Sequence, residues 1–475
     1  MSDTTLGGFL RETDGTSTSG GRSLARLRQG AEAGEELWTF EADGEVGSSP
    51  TVAGGTVYVG DKDGTLHAVD ASTGSEQWSG RLDFGPILAS PAVSDGTVYV
   101  GNNFGVFAAF DASTGTRNWT VEIDGGYTTN WFTSSPLVVE DTVYVGMHDG
   151  RLYALDAATG DVAWTFRTGA TVYSSPVFAD GLVFVGNEAG HVYGVDAGAG
   201  TEVWQYETPP NDNRLPGRTI NTPTERDGTL YATSFDNRVY ALDATTGEEV
   251  WTRDLGGPLY GTPTVDDGRV YVPLTEGSPE AVAALDTEAG EEQWRGGGGS
   301  ARSSPTVAGE YVCVGTSNGH VFGLDAESGD VGWSLRRTED TEIESSPTVV
   351  DGVLFVGTSD ATLLAVDAGT PGSSDGSRVR DRSLGYHGAT DPDWRGVPSG
   401  GAASTERPTT VGTDTPSDRG GTATSAPEAN EGPTDSDPGT DGRIPLEGIA
   451  GGAAGIGLGG YLLGRRLTDD EEDDG

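Results

Sequence analysis

The stretch from Asp141 to Trp164, DTVYVGMHDGRLYALDAATGDVAW, recurs in variant form along most of this chain. A sequence built on one short unit is confined to folds that stack copies of that unit. Two runs, TVYVG and RLYALD, carry β-branched or aromatic residues at alternate positions, and His148-Asp149-Gly150 between them is a hairpin turn signal. Ahead of this pair comes Ser134-Ser135-Pro136 with the apolar run Leu137 to Val139. Behind it, Ala157-Ala158-Thr159-Gly160 leads into a run carrying Trp164, so each unit predicts four antiparallel strands.

The aspartate ending the third strand recurs at Asp70, Asp111, Asp156, Asp196, Asp243, Asp286, Asp325 and Asp367, which makes eight units. A tryptophan stands eight residues after each of the first seven, at Trp78, Trp119, Trp164, Trp204, Trp251, Trp294 and Trp333. Where the last is due stands Asp375, and the missing piece lies at the front of the chain, where Ala31 to Trp38 (AEAGEELW) ends a loop and outer strand with no strands before it. Four-stranded units at a period of about 40 to 45 residues are propeller blades. The chain is therefore expected to be all-β: an eight-bladed propeller of four-stranded antiparallel blades over residues 31–368, closed by its N-terminal strand. An open toroid would expose a sheet edge and an apolar flank, and the misfit at both ends is what closure needs.

The spacing has a physical reading. In Asp156-Ala-Ala-Thr-Gly160 the carboxylate accepts backbone N–H groups inside the loop, and Gly160 supplies the positive φ of a tight connection. The tryptophan four residues on then covers the face of a neighbouring blade. Each buried indole removes roughly 150–250 Å² from water, worth at most about 4–6 kcal/mol against an extended chain.

A DAxTGxxxW segment after a VYVGxxDGxLxALD hairpin resembles the repeat of the eight-bladed quinoprotein, or PQQ-repeat, propellers, where these positions form a tryptophan-docking motif between blades. The resemblance runs from about Gly34 to Ala368 and recurs in phase. It is weakest in blade five, where TLYATSFDNRVYALD lacks the hairpin glycine, and in blade six, where YVPLTEGSPEAVAALD has a longer loop. Enzymes of this family oxidise alcohols or sugars with pyrroloquinoline quinone and Ca²⁺, and carry an adjacent cysteine pair beside the quinone. This chain has a single cysteine, Cys313, in YVCVG, which reads as a small core residue. The family's calcium and catalytic carboxylates sit in inter-repeat segments much longer than those here, so no residue is carried over to those roles. The chain also resembles the non-catalytic lipoprotein propellers of outer-membrane assembly, which use the same repeat as an interaction platform.

Candidate ligand-facing residues come from the longest connections, Glu122 to Thr133 and Glu207 to Asn221, because loop length beyond the repeat's minimum is where function is grafted. They are Tyr127, Trp131, Arg214 and Arg218, with Tyr173, Tyr260 and Arg302 on corresponding loops. Arginines near aromatics suit an anionic ligand; the structural alternative is that they neutralise nearby carboxylates and cover the funnel. The histidines (His67, His148, His191, His320, His387) never fall at metal-ligand spacing, and Asp61-Lys62-Asp63-Gly64 reads as a hairpin turn rather than a calcium loop.

Composition narrows the partners. The formal net charge is −46, and Lys62 is the sole lysine among 28 basic residues, a pattern that resembles proteins of extreme halophiles. At multimolar salt the Debye length is about 3 Å or less, which screens such self-repulsion. Nucleic acid is excluded for want of a basic stripe.

Outside the repeats, residues 1–30 read as a loose leader with no signal-peptide pattern, although Ser23 to Gln29 has helical character. Residues 369–443, rich in Pro, Gly, Ser, Thr and Asp, read as a disordered stalk. Residues 444–464 read as a membrane anchor, with Gly451, Gly455 and Gly459 on one helical face, followed by Arg465-Arg466 and the acidic tail 465–475. The paired arginines favour a cytoplasmic C-terminus and an external propeller, which conflicts with the missing signal peptide. The functional expectation is a membrane-anchored, non-catalytic scaffold binding a protein partner or small ligand; the alternative is a quinone- and Ca²⁺-dependent dehydrogenase.

Overall fold

A computed structural model describes residues 24–82, 85–123, 134–209, 220–275, 278–338 and 340–374. They form eight four-stranded antiparallel sheets. Blade one contains Thr51–Ala53, Thr56–Gly60, Thr65–Asp70 and Glu76–Arg81, and the pattern repeats through blade seven, whose outer strand is Val331–Arg336. Blade eight has its own first three strands, Thr348–Val350, Val353–Gly357 and Thr362–Asp367, and takes its fourth, Glu36–Glu41, from the front of the chain. Trp38 pairs with Ala365 in that sheet.

Second and third strands are buried on both faces, because each sheet is covered by the neighbouring blades: Val143, Tyr144, Val145, Leu152, Ala154 and Leu155 are all under 5 % exposed. Outer strands alternate exposed and half-buried, as in Val162–Arg167. Inner and second strands are joined by two-residue turns such as Asp95-Gly96 and Asp180-Gly181, with φ of 46° and 74°, and 48° and 81°, the primed geometry that suits a twisted hairpin. Blade five keeps its second hairpin without the glycine because Asn237 adopts φ 76°, a left-handed conformation that asparagine tolerates.

Adjacent blades are joined by one repeated contact. The indole Nε1 of Trp38, Trp78, Trp119 and Trp164 donates to the carbonyl of Ala71, Ala112, Ala157 and Ala197 respectively, at 2.9–3.1 Å. Trp204, Trp251, Trp294 and Trp333 do the same to Ala244, Thr287, Ala326 and Ala368, at 3.0–3.2 Å. Each acceptor follows the loop aspartate of the next blade. That aspartate closes its own loop: Asp156 Oδ1 accepts the Ala158 and Thr159 amides at 3.0 and 2.9 Å. The loop glycine lies flat under the indole; a Cβ on Gly160 would sit 2.6 Å from the Trp119 ring. The indoles are not all fully covered, since Trp204, Trp251 and Trp333 are 5–8 % exposed while the others are half-buried. The burial figure above is accordingly an upper bound.

A second series of contacts runs around the axis. The Ser49 amide donates to Ser90 Oγ, Ser90 to Ser135, Ser135 to Ser175 and Ser175 to Thr222, at 2.8–3.0 Å. Thr262 donates likewise to Ser304, Ser304 to Ser346, and Ser346 back to Ser49, at 2.9–3.0 Å. This is the work of the serine or threonine that stands directly before the proline in each blade, which the sequence displays without revealing.

Both flanks differ from expectation where they meet the propeller. Leu24–Leu27 is a helical turn whose Leu24 is buried in the joint between blades eight and one, so this end of the leader is not loose. Arg28 holds the nearly buried Asp367 carboxylate at 2.9 Å through both Nε and a terminal nitrogen. In other blades the equivalent aspartate is satisfied by its own loop. Here the loop passes from one chain end to the other, with the Gly34 amide on the Asp367 carbonyl at 2.8 Å. At the far end, residues 369–374 do not leave as a stalk: Ser374 exchanges hydrogen bonds with Val349, and Gly352 donates to the Gly372 carbonyl. No helix among the described residues is long and apolar enough to cross a membrane, and residues 444–464 lie outside them.

Two substitutions test this account. Gly160→Ala and Gly181→Ala both force a side chain into positive φ, costing about 1–2 kcal/mol, but only the first meets an indole, whereas Gly181 faces open space. Thermal unfolding should rank Gly160→Ala clearly below Gly181→Ala; equal values would refute the docking contact. Arg28→Ala should cost roughly 1–3 kcal/mol by leaving Asp367 short of partners, with Arg28→Lys intermediate because the paired geometry is lost. Denaturant titration would measure both.

Candidate functional site at the channel mouth

Connections from an outer strand to the next inner strand share one face with the turns between second and third strands. A recurring backbone bond ties them: Lys62 donates to Glu45, Asn103 to Pro86, Glu188 to Thr171, Ser317 to Ser300 and Ser359 to Glu342. Each long connection also drops an apolar anchor. Val46, Ile87, Val172, Ile220 and Ile343 are fully buried against Gly357, Gly60, Gly146, Gly186 and Gly315, where any Cβ would come within 2.1–2.5 Å. The glycine ending each VYVG run is there to admit that anchor.

The residue after the anchor stands at the rim. Among the described residues these are Gly47, Leu88, Tyr173, Asn221, Tyr260, Arg302 and Glu344. Three of them form a continuous arc. The Phe235 ring meets Tyr260 edge-on at 4.5 Å, the Arg302 guanidinium lies 5.8 Å from the Tyr260 ring centre, and its nitrogen is 3.1 Å from Glu344 Oε1. Burial raises the Glu344 pKa, opposed by the positive charges of Arg302 and Lys62. Lys62 itself pairs with Glu45 at 2.6 Å. Elsewhere on the rim His148 meets Tyr173 edge-on at 4.5 Å, and burial pushes the imidazole down to about 4, so it is neutral at neutral pH.

Of the sequence candidates, the structure joins Tyr260 to Arg302 and adds Glu344, Phe235 and His148, which sequence reasoning missed. Their signal was present: each occupies a fixed repeat position whose chemistry varies from blade to blade. Tyr127, Trp131, Arg214 and Arg218 lie outside the described residues. The Asp61 turn is closed by the Thr65 amide on Asp61 Oδ1 at 2.7 Å. Among the described residues no group of His, Cys, Asp and Glu is arranged to hold a metal ion. Cys313 is fully buried, and burial pushes its thiol up to about 12, which leaves it unreactive. A cavity of about 360 Å³ opens on the opposite face between blades five and six, lined by Arg226, Asp227, Tyr231, Val265, Asp267 and Thr287.

No curated protein matches the chain by sequence comparison. Among solved structures it is similar to BamB from Moraxella catarrhalis, with TM-score 0.61 and 21 % identity over 70 % of this chain and 100 % of that one. It is similar also to the quinohemoprotein alcohol dehydrogenase of Comamonas testosteroni, with TM-score 0.58 and 18 % identity over 70 % of this chain and 76 % of that one. A europium-containing methanol dehydrogenase gives TM-score 0.58 and 16 % identity over 68 % and 85 %. At such identities these likenesses speak for the fold alone. The family profile described as outer membrane protein assembly factor BamB matches residues 25–152, 128–225 and 212–384, and on that coverage the chain belongs to this PQQ-repeat propeller family.

Proposed function

We propose that the chain is a non-catalytic scaffold that receives a protein partner on the channel-mouth face and is tethered to a membrane through residues 444–464. The observation that carries this reading is the Tyr260–Arg302–Glu344 arc. Its charges are engaged with one another along the rim across successive blade joints, which suits a surface that is covered rather than an interior point where a reaction is focused. Tyr260, 37 % exposed, and Arg302 are residue types that anchor protein interfaces. The family description, an assembly factor, supports the same direction. The dehydrogenase alternative rests on shared fold, and fold is a poor guide to chemistry.

Two measurements test the proposal. Pyrroloquinoline quinone with Ca²⁺, titrated in multimolar salt against the full chain, should leave the melting temperature unchanged. Ligand that binds only the folded state must raise it, by about 2.7 kcal/mol of stability at a hundredfold excess over Kd, so a clear rise would sink the scaffold reading. A photo-crosslinking residue at Tyr260 should yield protein adducts in intact membranes, while one at Val203, 52 % exposed on an outer strand, should not. Adducts at neither position would overturn the assignment of the rim.

A further inference from the structure

His67 breaks the repeat. On the third strand of blade one it pairs with Ser79, the register position that Tyr153, Tyr193 and Tyr240 fill in blades three to five. It is 3 % exposed, with Nε2 at 3.1 Å from Asp61 Oδ2 and Nδ1 at 2.9 Å from Glu76 Oε1. A neutral imidazole has one N–H and one lone pair, so it can satisfy only one of two carboxylates; facing both calls for both protons. Asp61 is fully buried and has a further duty, because its Oδ2 accepts the Gly44 amide at 3.3 Å. Gly44 follows the closing strand Glu36–Glu41, whose Phe40 ring meets His67 edge-on at 5.3 Å. The cluster thus lies at the joint between blades eight and one, where the front of the chain seals the ring.

We propose that His67 is a protonation latch on this seam: the doubly protonated ring ties Asp61 and Glu76 together under the closing strand, and loss of the proton loosens it. The charged groups facing the ring are Asp61 from the adjoining turn and Glu76 from the outer strand; the closing strand contributes the uncharged Phe40. Lys62 is engaged with Glu45 alongside. Burial alone would lower the His67 pKa, but hydrogen bonding and charge from Asp61 and Glu76 outweigh it and raise the value. A group whose folded pKa lies above its unfolded value contributes stability that is complete below the unfolded pKa. That contribution is lost as pH rises through the folded pKa. The latch is therefore shut while the carboxylates are ionised and the ring is protonated, and it is released as pH rises through the raised folded midpoint. The buried His67–Asp61 pair is screened only weakly, so multimolar salt leaves that half in place, whereas Glu76, 40 % exposed, is screened more.

The test uses the full chain in multimolar KCl. With five histidines, imidazole NMR can follow each ring, and the resonance lost in Asp61→Asn/His67→Tyr identifies His67. That double variant reproduces blade four, where Asn187 and Tyr193 hold these positions. His67 should titrate above the ordinary midpoint of about 6.5, and Glu76→Gln should lower that midpoint. Hydrogen exchange over residues 36–44, corrected for intrinsic rates, should rise by up to about tenfold per pH unit above the midpoint in the wild type, and stay flat in the double variant. A His67 midpoint at or below about 6.5, or equal alkaline exchange in the two proteins, would overturn the latch; the midpoint itself is read on the wild-type chain.

Discussion

Every joint in this ring hangs on one donor meeting one acceptor: an indole N–H from one blade and the carbonyl that follows the loop aspartate of the next. The geometry requires three residues at once. The aspartate consumes the amides of its own loop, as Asp70 does with Ser72 and Thr73 at 3.0 and 2.9 Å, and so turns the loop's carbonyl outward. The glycine leaves a flat floor, and the tryptophan is long enough to lie on it and still reach the carbonyl. Serine and threonine hydroxyls in the loop hold the Asp111 carboxyl below the usual carboxylate range. That keeps the acceptor ionised, and the loop shut, well into acid. In blades where the second strand supplies tyrosine, its hydroxyl joins the indole on the same carbonyl, as Tyr58 does with Trp78 on Ala112. The bond is modest singly, about 1 kcal/mol net, but it fixes the direction in which the apolar faces stack.

A closed ring has no terminal repeat to cap, and the cost appears instead at the single joint where the chain is discontinuous. There the loop is assembled from two ends, with Asp367 at one side and Gly34 at the other; Asp367 keeps one loop amide, from Gly369 at 2.8 Å, and Arg28 stands in for the other loop donors that its counterparts have. Residues 370–374, with Thr370 4 % exposed and Ser374 fully buried, press the departing chain against the innermost strand of the same blade. Both ends are thus fastened to the blade they complete, so the ring does not depend on one edge strand for its closure.

The blade count, the closing strand and the docking positions were legible because they recur in phase: eight copies of Asp, Gly and Trp at fixed spacing leave few geometries open. Three things were not. Ser49, Ser90 and their counterparts look like ordinary turn residues, and only the convergence of the blades on one axis puts each amide beside the next hydroxyl. Arg28 lies in a stretch whose composition reads as unstructured, and its partner is 339 residues away. Leu24 and Leu27 are one helical turn apart, too short a pattern to announce that they pack into the joint between blades eight and one. The mouth was half legible. Tyr260 and Arg302 stood out as unusual residues on loops, but Glu344 is an unremarkable acid in an acidic chain until its distance to Arg302 is known.

Frame and function separate inside this single sequence. Where eight positions must do one job, they converge, as the anchors Val46, Ile87, Val172 and Ile343 converge on small aliphatic side chains that seat against a glycine. The next residue along is less constrained and runs through glycine, leucine, tyrosine, asparagine, arginine and glutamate, although Asn221 is tied to Thr233 and Leu259. Variation beside a rigid anchor costs the fold almost nothing, so the rim is where chemistry can differ between blades without disturbing the joints beneath. His67 is the opposite case, because it varies at a position the fold does use, inside the seam. A buried imidazole between two carboxylates brings desolvation that the tyrosines of blades three to five avoid. Such a residue makes the strength of the seam depend on a proton, whereas the seams built on tyrosine hold the same strength across neutral pH.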